Sequence, residues 1–444
     1  MDMQPRSVRD SVASESGAKH NSGSTRLSLS RTGNRQLDIL AIVTVVVVGG
    51  IFFWMVLRRP QVQLPAGVTQ LEYENVAQKL RRISSRAVVH DEVIFRLGVE
   101  QTVHQNWETA AALFASVDPF RSHFGREARY LRAQSVLQQD RLRESEQLFR
   151  EYLADAPITG KTPWPVEPNR EERLMAMHYL SYLLAVELRF GDRQILLAEL
   201  VKNGDADLFD TLAFHFQSLM EWNNTHGVER LENACRASPH DVKLRAVLAQ
   251  YRIGQGRLEE AWGLLKVCNE ELPSDLTVTA ACLTCLQERG DDAVYLKMVM
   301  DLPPVSVNEP VELLRHRGQA ALDQNQAGEA KLCFQTAIKR DPANVACRLG
   351  LAKALLALDE PERRKQELAA AQNLVRIQNR LGWATSKSPT VDILLEIAQL
   401  SADAGLQAAA MDLCRISMKL FDASKPFEDL LRDLSSTESK GELQ

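Results

Sequence analysis

The feature that most restricts how this chain can fold is a repeat of 34 residues. Proline shows it first. Pro239 and Pro273 lie 34 residues apart, and each closes an amphipathic helical pattern, in NACRASPHD and CNEELPSD. Pro342 ends another, in AIKRDPAN, two periods and one residue further on. Proline stops a helix because it has no amide hydrogen and its ring clashes with the preceding turn. The clearest unit, Val311 to Asn344, has Gly318 at its eighth position, Ala330 at the twentieth and Phe334 at the twenty-fourth. Ala337 stands at the twenty-seventh and Pro342 at the thirty-second. Small residues at positions 8 and 20 let two helices of one unit approach. The aromatic ring and the alanine fill the seam to the next unit. A unit this short cannot bury its apolar face alone, so neighbours must stack.

The same frame recurs. From Asp91 it places Gly98, Ala110 and Phe114; from Arg126, Ala133, Ser145, Phe149 and Pro157; from Leu208, His215, Leu231, Ala234 and Pro239. From Val242 it places Ala249, Gly256, Ala261, Leu265, Cys268 and Pro273; from Val345, Ala352, Leu368 and Ala371; from Val391, Ala398, Gly405 and Ala410. Leu276 opens a degenerate unit with Gly290 in its turn and Tyr295 at position 20, and the helices around Met177 and Leu196 form another. These residues resemble the tetratricopeptide repeat (TPR) family, whose period is 34. The implied fold is all-α: about nine TPR-like helical hairpins stacked as an α-solenoid over residues 89–423. Alternating strand patterns with hairpin dipeptides do not occur.

The N-terminal quarter is built differently. Residues 1–36 hold eight serines, six basic and three acidic residues, and no aromatic one. Such a segment buries too little to order itself and is expected to be a disordered tail. Ile39 to Leu57 then runs 19 residues without a charge, with Thr44 as the one polar side chain. As a helix it would reach roughly 28 Å, a bilayer's hydrocarbon thickness. Residues 37–57 are therefore expected to be a single transmembrane helix, with Trp54 at an interface and Arg58, Arg59 and Pro60 beyond it. The region before it is too long, and the run too extended, for a cleaved signal peptide. Lys19, Arg26, Arg31 and Arg35 precede the span, against Arg58 and Arg59 after it, which places the N-terminus in the cytoplasm and the array outside. By analogy with anchor-plus-array chains, the membrane is the bacterial inner membrane. Residues 58–88 read as a linker or helical stalk, 156–170 as a Pro-rich insertion carrying Trp164, GWATSKSP at 382–389 as a spacer before the last hairpin, and 424–444 as a C-terminal tail.

The net charge of −5 argues against nucleic acid as partner. No phosphate loop, H-E-x-x-H or G-x-S-x-G occurs, and the nine histidines show no metal-ligand spacing. Cys282 and Cys285 form a C-x-x-C within TVTAACLTCL, mid-helix and without a second pair, and read as small buried hydrophobes. No metal, no cofactor and no enzyme activity are expected.

The resemblance implies that positions 2, 5, 9 and 12 of each first helix line an inner surface that binds a protein or peptide. Those positions hold Tyr130 and Gln134, Lys243 and Gln250, Glu312, Arg315 and Gln319, and Lys353. Phe209, Leu212, Phe216 and Leu219 form an apolar stripe suited to a partner helix, or to core packing between degenerate units. The expected function is a membrane-anchored scaffold holding a protein segment near the bilayer. The alternatives are a self-associating, membrane-organising array and an enzyme subunit.

Overall fold

The computed structural model describes residues 87–118, 124–154, 170–220, 225–306, 309–385, 389–421 and 425–441. The tail, the Ile39–Leu57 run, the stalk and the Pro-rich insertion with Trp164 lie outside the described residues. Among the described residues no helix is long and apolar enough to cross a membrane.

Nine helical hairpins follow one another, and no strand occurs among the described residues. The first two pair α1 (Ala87–Val103) with α2 (Trp107–Ala115) and α3 (Gly125–Leu137) with α4 (Leu142–Ala154). Next come α5 (Arg170–Val186) with α6 (Phe190–Asn203) and α7 (Leu208–Phe216) with α8 (Thr225–Ala237). A 3₁₀ turn, Gln217–Leu219, extends α7. Then follow α9 (Val242–Gly254) with α10 (Leu258–Glu271), α11 (Leu276–Arg289) with α12 (Asp292–Met300), and α13 (Val311–Asp323) with α14 (Ala327–Arg340). The last two are α15 (Val345–Ala357) with α16 (Pro361–Ala384) and α17 (Val391–Asp403) with α18 (Gln407–Leu420). A final helix, α19 (Lys425–Gly441), occupies the expected tail, because Phe427 and Leu434 supply a buried edge against the last hairpin. The expected 382–389 spacer is partly helix, since α16 continues to Ala384, with Leu381 and Ala384 buried.

Local chemistry sets both ends of the first helices. Asp207, Asp241, Asp275, Asn344 and Thr390 each accept a hydrogen bond from a backbone N–H of the helix they precede. These caps satisfy amides that no helical carbonyl reaches. The turn inside seven hairpins reverses at one register position, occupied by Gln105, Asp140, Gly256, Gly290, Asn325, Asp359 and Gly405, with φ between 55° and 78°. Leu188 takes the same conformation in the third hairpin, at φ 50°. Three of the eight are glycine, the residue that adopts positive φ without a Cβ clash.

The seam between units depends on small residues facing rings. The Phe334 ring, 1% exposed, lies between Gly318 of its own hairpin and Gly350 of the next. A Cβ on Gly318 would sit 2.8 Å from that ring, and one on Gly350 only 2.4 Å. Within the first hairpin, Gly98 faces Phe114 as Gly318 faces Phe334, at 2.6 Å.

A second kind of contact joins distant units. Leu212, Phe216 and Leu219 are buried against Leu374, Leu381, Leu394, Leu413 and Phe427. Polar bonds rim this seam. His215 Nε2 lies 3.0 Å from Asp412 Oδ2, Ser218 Oγ donates to Asp341 at 3.0 Å, and Lys419 Nζ donates to the Gly204 carbonyl at 3.3 Å. Burial pushes the Asp412 carboxyl up, but its bond to His215 and the charge of Arg415 outweigh this, so it stays below the ordinary carboxylate value.

Two outcomes follow. Gly350→Ala should destabilise the full-length protein by about 1–3 kcal/mol through overpacking, although alanine is the better helix former. Gly263→Ala in α10, where no atom lies within 4 Å of the new Cβ, should instead stabilise by up to about 1 kcal/mol. Urea unfolding checks both signs. For the distant seam, Asp412→Asn should cost about 1.5–3 kcal/mol near pH 6. A depressed carboxylate contributes above its unfolded pKa of about 3.9 and loses that contribution as pH falls through the folded value. The gap between wild type and variant should therefore close on acidification, and urea unfolding across pH 3 to 6 would show it.

Candidate functional site

The inner-face positions fall into two groups. Lys243, Glu312 and Lys353 are exposed, and Gln134, Gln250, Arg315 and Gln319 are half-buried. Several are tied locally. Lys243 pairs with Asp275 at 3.5 Å, Gln319 donates to Asp323, and Arg315 donates to Gln287 and lies 3.0 Å from His316 Nε2. Protein packed around Glu312 holds its carboxyl above the ordinary value even though the side chain is open to solvent. Beneath Arg315, His316 is fully buried between Tyr295 and Thr284. Burial and then the Arg315 charge push it down to about 3, so it is a neutral core histidine.

The second group is not open surface. Tyr130 packs edge-on against Phe149 and Tyr179, and its hydroxyl accepts from Gln134 Nε2 at 2.8 Å. It belongs to the core. Leu212, Phe216 and Leu219 are likewise filled positions, because the C-terminal helices cover them; of the stripe, Phe209 alone is open, at 43%. Of the two readings open for the stripe, core packing is the one these three residues follow.

A cavity of ≈ 350 Å³ lies where the third, fourth and fifth hairpins meet. Helix α5 supplies His178, Ser181 and Tyr182, α6 supplies Arg193, and the start of α7 supplies Asp207, Phe209 and Asp210. Tyr251 of α9 forms part of the wall and donates to the Val186 carbonyl at 3.2 Å. Asp207 and Asp210 close a reciprocal cap: the Asp210 amide donates to Asp207 Oδ1 at 2.7 Å, and the Asp207 amide to Asp210 Oδ2 at 3.2 Å. Arg193 is 1% exposed; its Nε donates to Ser181 Oγ at 3.0 Å and its guanidinium lies 5.9 Å from the Phe209 ring centre. Burial lowers its pKa to about 10, with the charge of Asp210 opposing.

His178 Nδ1 is 3.4 Å from Asp210 Oδ2. That bond raises the imidazole's pKa against the effect of burial, and the charges of Asp210 and Asp207 add to it. Asp207 is also raised, by burial first; the bond from the Asp210 amide works against this and the like charge of Asp210 with it. Ligand-capable atoms of His178, Asp207 and Asp210 lie within 4.8 Å of one another, so the three could hold a cation. Spacing in the chain did not indicate this group: His178 is separated from the aspartates by a whole helix. The Asp207-x-x-Asp210 pair ahead of an apolar run was legible as a helix start, but not its histidine partner.

Among the cysteines, Cys282 and Cys285 are buried and unlinked, and burial pushes the Cys282 thiol up to about 12. A thiol held protonated is neither a nucleophile nor a metal ligand.

Residues 316–374 match the family model for the tetratricopeptide repeat. Residues 316–374 carry tetratricopeptide repeats. No curated protein matches it. Solved structures similar to it include a tetratricopeptide repeat protein from Parabacteroides merdae, 11% identical, covering 70% of this chain and 98% of that one, with a TM-score of 0.28. Yeast Tom70 is 9% identical over 84% of this chain and 93% of its own, at a TM-score of 0.29. The human IFIT1 dimer is 12% identical over 84% and 87%, at 0.32.

The bond to Asp210 makes a titration outcome specific. The His178 imidazole should titrate above the ordinary value of about 6.5 in an NMR pH series. Asp210→Asn should bring the midpoint down by removing the charge that holds the proton. A raised histidine adds stability below its unfolded pKa and loses it as pH rises through the folded value. Wild type should therefore weaken more than His178→Gln between pH 6 and 8.

Proposed function

We propose that this TPR array is a scaffold that binds a protein segment on its inner helix faces, and that the Ile39–Leu57 run anchors it in a membrane, with the array on the non-cytoplasmic side. The stack of hairpins carries the reading. In the fifth to eighth hairpins the first helices α9, α11, α13 and α15 pack against one another in succession, with Lys243, Gln250, Glu312, Gln319 and Lys353 at solvent-accessible positions. Solenoids of this kind expose long surfaces built from many similar units, and such surfaces suit extended or helical peptide segments. Anchoring raises the local concentration of array and partner, so modest affinity suffices. Binding rather than catalysis is proposed, since the residues at these positions are polar and several are paired locally.

In-cell crosslinking of the full-length protein, followed by mass spectrometry, tests this. Gln319→Ala combined with Lys353→Glu should reduce recovery of a reproducible partner at least fivefold. The two positions sit on adjacent hairpins, and neither carries a buried bond whose loss would unfold the array. Retention of the partner at full yield would move the binding surface elsewhere. Recovery of this chain alone would replace the scaffold reading with self-association. Cysteine labelling from either side of the membrane, at a residue added after Pro60, reports the anchor and its orientation.

A further inference from the structure

We infer that the solvent face of α15 docks one amphipathic helix of the bound protein, carrying two apolar residues seven apart with an acidic residue between them. The inference rests on the scaffold reading and specifies what the partner must present.

Composition comes first. Helix α15, VACRLGLAKALLA, holds two charged residues, Arg348 and Lys353. Arg348 is turned inward and bonded to Glu367 at 2.9 Å, so Lys353 is the one charge that α15 shows to solvent. A helix apolar all round is ordinarily covered on every side. Helices α13, α14 and α16 pack against α15. Beyond it the row of first helices breaks, since α17 packs chiefly on α16 and α18. The uncovered side presents Ala346, Leu349, Lys353 and Leu356, with Leu349 42% and Leu356 59% exposed. These positions are three and four apart and form one stripe along the helix.

Spacing decides the form of the occupant. Leu349 and Leu356 stand two turns apart, roughly 10 Å along the axis. A helix laid along α15 repeats that distance with residues i and i+7 on one face. An extended strand shows one face every second residue, at about 6.7 or 13 Å, so it meets one leucine and misses the other.

Charge decides its middle. Lys353 lies between the two leucines and makes no ion pair among the described residues. Neighbouring carboxylates are engaged elsewhere. Asp323 accepts from Gln319 and bears on Tyr295 of the preceding hairpin, and Glu360 accepts from Lys331 and Arg363. Glu312 and Asp341 are set against Arg315 at the other end of the stripe, around the Cys347 thiol. A helix docked on the leucines would cover the lysine stem, and a covered charge needs a partner. An aspartate or glutamate supplies it, whereas a lysine or arginine facing Lys353 would be repelled.

The test uses full-length protein in detergent micelles, with empty micelles as the blank. The probes are fluorescein-labelled, capped alanine–glutamine helices. The first carries two leucines seven residues apart with two glutamates between them; the second has lysines for the glutamates, the third alanines for the leucines. Binding is read by anisotropy. The first should bind saturably, and the other two at least tenfold more weakly. Leu349→Ser combined with Leu356→Ser alters exposed positions only, so urea unfolding should stay as in wild type while the first peptide binds at least tenfold more weakly. Lys353→Glu should reverse the order of the glutamate and lysine peptides. Equal binding of those two peptides to wild type, or unchanged binding to the serine variant, overturns the inference. So does a concentration-dependent dimer in sedimentation that the serine variant abolishes, which would assign the face to a second copy of the chain. If the peptides fail while the serine variant still crosslinks the partner at wild-type yield, the α15 site falls and the scaffold stands. Absence of any crosslinked partner from wild type is the separate failure of the scaffold reading.

Discussion

The array depends on how closely one hairpin can approach the next, and between the seventh and eighth hairpins that distance is set by glycine against phenylalanine. The ring of Phe334 is held between Gly318 and Gly350 so tightly that one added carbon at either would overlap it. Interiors this dense tolerate little change of volume. The pairing of Gly98 with Phe114 repeats the Gly318 contact, inside a single hairpin, near the start of the array. Caps and left-handed turns fix where each helix starts and reverses, while the glycine–ring seam fixes how units stack. Inner-face residues inherit their positions from that stacking.

A stack joined only to nearest neighbours would be quasi-one-dimensional, with stability close to a sum over units. This one is not. The α7 stripe and the 3₁₀ turn after it are covered by α18 and α16, and the bonds from His215, Ser218 and Lys419 rim the contact. The fourth hairpin is thereby coupled to the eighth and ninth. Such long-range contacts make unfolding more cooperative than in an open solenoid. They also account for the apolar character of the unit from Leu208: its first helix serves two seams rather than one.

How much of this was readable from the residues differs by level. Helix starts at Leu208, Val242, Leu276, Val311, Val345 and Val391 coincide with unit starts read from the 34-residue frame, because caps and small residues are local signals. The final helix was not readable: SSTESKGELQ looks like solvent-exposed tail, and it is Phe427, Leu430, Leu431 and Leu434, ahead of it, that hold the segment. The covered stripe was ambiguous for the same reason. Leu212 and Phe216 are apolar whether they face a partner or the chain's own distant hairpin, and periodicity carries no information on which. The cavity was invisible because it is assembled from three hairpins. Arg193 reads as an ordinary helix-surface arginine until α5 and α7 enclose it.

The contact between α7 and α18 has a consequence for how a chain like this can evolve. Open repeat arrays lengthen and shorten readily by duplicating or deleting units, since each new seam copies an old one. Here, inserting or removing one hairpin between residues 220 and 407 would carry Asp412 and Leu413 away from His215 and Leu212. Two apolar faces would then be left uncovered. The number of units in that interval is therefore pinned: sequence can drift within each hairpin, but the count cannot.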